Sequence, residues 1–116
     1  MIEDIRISNS RNESLYVDVP NAVVNKNAMW TTISSEFAPY LQLPDLGPAP
    51  AYALADEEGL RHSFARLELR GKHIVTSVLL SDTVEGAVIG ATTLASLGLA
   101  IDPAEEELVE AELQLN

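Results

Sequence analysis

The sequence predicts an all-β domain. Apolar residues recur at every second position over most of the chain, and clusters of Asn, Gly and acid interrupt them at the spacing of hairpin turns. Helical spacing is confined to two short stretches.

Taken in order, Ile5 and Ile7 alternate with Arg6, and Leu15, Val17 and Val19 alternate with Tyr16 and Asp18. The turn formers between Asn9 and Asn12 join them as a first hairpin. A short helix is expected after Ser34 or Ser35 as N-cap, through Glu36, Phe37 and Leu41. Pro39 limits it to about one turn because it lacks an N–H. From Ala51 to Leu69 two strands flank Asp56-Glu57-Glu58-Gly59, a polar tip whose glycine can take positive φ, which reads as a long, mobile hairpin. Leu67 and Leu69 then pass through Arg70-Gly71-Lys72 into Ile74, Val75, Val78, Leu79 and Leu80, a second strand pair at the centre of the sheet. A helix from Thr92 to Leu97 ends at Gly98 as C′ residue. Beyond Asp102-Pro103, Val109, Ala111, Leu113 and Leu115 alternate with polar residues as a half-buried terminal strand. Such an edge is commonly covered by a second copy, so a homodimer is expected.

Composition narrows the function. The 116 residues suit one domain spanning 1–116, and 47% hydrophobic content supplies a core. Eighteen acids against seven bases leave a net charge of −11, which repels nucleic acid and anionic membrane. With no cysteine there is no disulfide, zinc-thiolate or thiol chemistry. The acidic start Met1-Ile2-Glu3-Asp4 does not resemble a signal peptide, and no apolar run approaches a membrane span of about 20 residues. A soluble, unprocessed, cytoplasmic protein is expected.

The stretch from Ala87-Val88-Ile89-Gly90 through Thr92, Leu97 and Gly98 to Ile101-Asp102-Pro103, with the order of elements before it, resembles the single-domain clan AA aspartic proteases of retroviral (retropepsin-like) type. Val88, Ile89 and Gly90 match that family's hydrophobic-hydrophobic-Gly motif. Upstream, Val23-Val24 and the run from Met29 to Leu43 are similar to the flanks of its catalytic turn. Where the family has Asp-Thr-Gly-Ala, this chain has Asn25-Lys26-Asn27-Ala28. The resemblance implies a closed barrel, a peptide-binding flap at Asp56, Glu57, Glu58 and Gly59, and a homodimer joined through terminal strands. It also implies that catalysis is lost. The family's paired carboxylates share a proton over a water, and Asn25 cannot exchange one. Lys26 at the Thr position requires an acid such as Asp18, or water, to avoid a bare buried charge. Asn27 tolerates the left-handed backbone that Gly provides.

The implied function is an inactive homologue that binds a peptide or protein segment in its cleft, an interaction made mostly by backbone hydrogen bonds. The rivals are an active aspartic endopeptidase using other carboxylates and a purely structural acidic dimer. Other candidates read as structural. Trp30 and Tyr40 are expected in the core, His62 and His73 as solvated strand residues holding no metal, and Glu105, Glu106 and Glu107 as a solvated run. Thr92 and Thr93 are expected to cap the second helix. Neither metal nor cofactor is called for.

Overall fold

The computed structural model describes residues 1–50 and 59–111. The first hairpin pairs β1 (Ile2–Asn9) with β2 (Asn12–Val24), and Asn9 Oδ1 accepts the Arg11 and Asn12 N–H groups to close its turn. A register shift between Glu3 and Ile5, with Asn21 at φ 57°, re-aims the end of β2 so that Ala22 and Val24 also face the core. After β3 (Thr32–Ser34) and α1 (Phe37–Leu41) the chain reaches β4 (Arg61–Leu69) and β5 (Lys72–Ser81). The β4–β5 turn is Arg70-Gly71, both at positive φ, as a two-residue hairpin demands. β6 (Ala87–Ile89) and α2 (Ala91–Ser96) follow.

These strands close a barrel in the order β1-β2-β6-β3-β5-β4, with β4 returning to β1 through Arg6 to Ser8. Ile7, Ile33, Leu67, Val78 and Ile89 fill it from five strands. Two further strands, β7 (Leu99–Asp102) and β8 (Glu107–Glu110), form a separate sheet whose Leu99 and Leu108 join the same core.

Several expectations need correction. In β8 it is Leu108, 3% exposed, that faces the core, while Val109 is 36% exposed. The turn 103–106 sets Ile101 opposite Leu108, and a one-residue change of phase turns every side chain over. Ala111 is exposed beyond the end of β8, and Leu113 and Leu115 lie outside the described residues. Neither serine caps α1. Glu36 occupies the N-cap position, Ser34 Oγ accepts its N–H at 3.3 Å, and Ser35 Oγ donates to Asp82. Pro39 sits in the first turn, where its missing N–H costs nothing. α2 begins at Ala91 with Gly90 as its N-cap, so neither Thr92 nor Thr93 caps it. Tyr40 is 68% exposed rather than core.

The first arm of the long hairpin and its tip at Asp56, Glu57 and Glu58 also lie outside the described residues. Its base is antiparallel: Ala49 N–H donates to Leu60 O and His62 N–H to Gly47 O, both at 2.9 Å. Gly59 follows the tip at φ 81°.

Candidate functional site

β6 lies between β2 and β3, parallel to β2 through Val23–Val88 and Val24–Ile89, and antiparallel to β3 through Thr32–Val88 and Ile33–Ala87. The segment from Asn25 to Thr31 therefore has to cross the end of β6, where Gly90 sits. A Cβ on Gly90 would lie 2.5 Å from the Trp30 carbonyl carbon and 2.9 Å from Met29 O, so only glycine lets the two chains cross this closely.

Main-chain bonds strap the loop down. Asn25 N–H donates to Ile89 O (3.0 Å), Ala91 N–H to Ala28 O (2.8 Å) and Thr92 N–H to Met29 O (3.0 Å). The Thr92 hydroxyl adds a second bond to Met29 O at 2.7 Å. Beneath them Thr31 and Thr93 are buried with hydroxyls 2.6 Å apart, and Thr31 Oγ1 accepts the Gly90 N–H at 3.0 Å. The Val88-Ile89-Gly90 motif was visible in the sequence. This threonine pair was not, because its members stand 62 residues apart and neither spacing nor burial pattern connects them.

At the crest Asn25, Lys26 and Asn27 are all exposed. Asn25 Oδ1 accepts the Asn27 N–H at 3.0 Å, and Asn25 O accepts the Ala28 N–H at 3.1 Å. The turn thus rests on an Asx bond and not on a left-handed residue: Asn27 is absent from the non-glycine positive-φ positions Asn21, Gln42, Arg70 and Glu106. The loop lines a groove of about 340 Å³ together with Met1, Val24, Ile101, Pro103 and Glu106. Glu105 and Glu107 are exposed in and beside the same β7–β8 turn.

Asp18 does not meet Lys26. It takes the Arg6 guanidinium at 2.7 and 3.0 Å, which holds its carboxyl below the ordinary 3.8. Arg6 also lies 4.1 Å over the Tyr16 ring. In the single chain Lys26 is exposed. A larger groove of about 670 Å³ runs beside Asp4, Arg6, Pro20, Glu68 and Arg70. It is away from the loop, and its two arginines are already paired with Asp18 and Glu3, so it lacks a free cation to define a ligand.

Trp30 is half-buried and packs with Leu60 and Leu79, joining the loop to the base of the long hairpin. His62 and His73 stand on separate strands; His62 lies 5.8 Å from the Phe64 ring, and His73 is opposite Glu68. No helix among the described residues is long and apolar enough to cross a membrane.

By sequence, neither a protein-family model nor a curated protein matches this chain. Among solved structures it is similar to the EIAV protease complexed with the inhibitor HBY-793, at 16% identity and a TM-score of 0.60, over 99% of this chain and 92% of that one. It is also similar to the retroviral protease-like domain of Ddi1 from Leishmania major, at 14% identity and 0.55, over 97% and 90%. Barrel closure, the crossing at Gly90 and these two superpositions over nearly whole chains agree: the protein has the retropepsin-like fold.

Proposed function

We propose that the chain is a catalytically inactive relative of the clan AA aspartic proteases, a homodimer that holds a peptide or protein segment in its cleft. The observation that carries this reading is the loop at Asn25. It occupies the crossing over β6 where the resemblance puts Asp-Thr-Gly-Ala, its main chain is bonded to Ile89 and Ala91, and its first side chain is a carboxamide. General acid-base work on a water needs a group that exchanges a proton near working pH, and a carboxamide does not. Extended segments bind such clefts largely through backbone hydrogen bonds, which the loss of a carboxylate leaves intact.

The test is digestion of a diverse unfolded-peptide mixture from acidic to neutral pH, with and without a statine-type inhibitor, beside an Asn25→Ala control. No cleavage is expected in any arm. Cleavage that the inhibitor blocks and Asn25→Ala abolishes would overturn the inactive reading.

A further inference from the structure

β8 is lightly anchored. Of its four residues Leu108 alone is buried, while Glu107, Val109 and Glu110 are exposed. Beyond its pairing with β7, its ties come from the barrel: Arg70, already bonded to Glu3, donates to Leu108 O at 3.3 Å, and Lys72 meets Glu110 at 2.7 Å. β7, the core, Arg70 and Lys72 would hold an identical strand from another copy equally well, so only the turn 103–106 decides which chain's β8 fills this place. That turn is poorly suited to folding back. Glu106 stands at φ 53° without being glycine, and Pro103 biases Asp102 towards extended backbone that continues β7. All four turn residues are exposed. The turn's bonds run from Ala104 and Glu105 N–H to Asp102 Oδ1 and from Glu106 N–H to Asp102 O, and water replaces them when it opens.

Resting on the homodimer reading above, we propose that two copies exchange β8: the strand of one chain pairs with β7 of the other, and its Leu108 completes the other's core. The contacts of β8 are kept and the strained turn is opened. From Asp102 to Glu107, five Cα steps of extended chain reach about 17 Å, so the β7 ends of the two copies need only meet within that distance. The groove beside β7 is lined by Lys26 as well as by Pro103 and Glu106, which supplies a cation to an opened hinge that carries Glu105, Glu106 and Glu107. A second copy is the one partner that brings the same strand.

The chain has no cysteine, so introduced ones report without interference. Ala100 and Val109 are cross-strand partners on the face opposite Leu99 and Leu108, at a spacing that suits a disulfide. An Ala100→Cys chain and a Val109→Cys chain are refolded together at micromolar concentration, oxidised, and run on a denaturing gel without reductant beside each variant treated alone. Light scattering gives the oligomeric state of the same samples. Exchange predicts a covalent heterodimer at several times the level of either variant alone. Glu106→Gly, which relieves the left-handed position, should raise the dimer Kd about fivefold for each of the two hinges. Suppose instead that light scattering shows dimers, the mixture gives no covalent product above its controls, and the Ala100→Cys/Val109→Cys double variant closes its disulfide within one chain. That result overturns the exchange and leaves the homodimer standing. Monomers in every sample overturn both. A Kd that stays the same or falls in Glu106→Gly refutes the hinge as the driving element, and the exchange with it.

Discussion

Thr31→Val tests whether the threonine pair supports the loop. Valine keeps the shape, so the change removes one hydroxyl from a site that is 0% exposed. Two groups lose their partner: the Gly90 N–H, bonded at 3.0 Å, and the Thr93 hydroxyl, at 2.6 Å. Each stranded buried group costs about 1–3 kcal/mol, and relaxation brings the pair to about 2–4 kcal/mol. That is a large part of a total stability of about 5–15 kcal/mol and lowers Tm by about 8–16 °C. Thr93→Val leaves the Gly90 bond in place and should cost about 1–2 kcal/mol. In the double variant only the Gly90 N–H is stranded, so its loss should fall short of the sum by about 1–2 kcal/mol. Urea unfolding followed by far-UV circular dichroism measures all four proteins, and hydrogen exchange at Gly90 reports the site itself. A Thr31→Val cost below about 0.5 kcal/mol, or additive losses, refutes the coupling.

Gly90→Ala should cost about 3 kcal/mol or prevent folding. Its Cβ would meet main chain at 2.5 Å, and the backbone at φ −93° supplies no strain of its own, so thermal melting reads the contact alone. The Asp18 carboxyl is held below its ordinary 3.8 by Arg6, so the stability it contributes is complete above that value and lost as pH falls through the folded one. The difference in urea midpoint between the protein and Asp18→Asn should accordingly shrink below about pH 4 and vanish in stronger acid; a constant difference would contradict it. Light scattering at micromolar concentration should give a dimer, and removal of residues 108–116 a monomer or aggregate. A monomeric intact chain would refute the homodimer.

What the sequence disclosed follows the range of the interactions involved. Alternation is local, so Ile5 and Ile7, the β4–β5 pair and the Arg70-Gly71 turn were readable from neighbours alone. The face of β8 was not, because it depends on how turn 103–106 sets the register of Leu108 against Ile101. The expected cap at Ser34 or Ser35 failed for a related reason: Ser35 finds a partner in Asp82, far along the chain, and its hydroxyl is drawn there. In the site, the resemblance rests on the flanks of the Asn25–Ala28 loop. The Asx turn that closes this loop and the Thr31–Thr93 pair beneath it required coordinates.

The two halves of the loop differ in what they demand of sequence. At Thr31, Gly90, Thr92 and Thr93, side chains are buried, bonded or absent for steric reasons. From Asn25 to Asn27 they are exposed, and the strap beneath uses mostly main-chain atoms. Residues at the crest can therefore change with little effect on the fold. The same argument runs in reverse for the triple variant Asn25→Asp, Lys26→Thr and Asn27→Gly. An aspartate oxygen can accept the residue-27 N–H as the carboxamide does, and glycine at 27 adds about 0.5–1 kcal/mol of chain entropy to the unfolded state. The variant should stay within about 1 kcal/mol of the parent in urea unfolding. A loss above about 2 kcal/mol would show that the crest side chains support the fold after all.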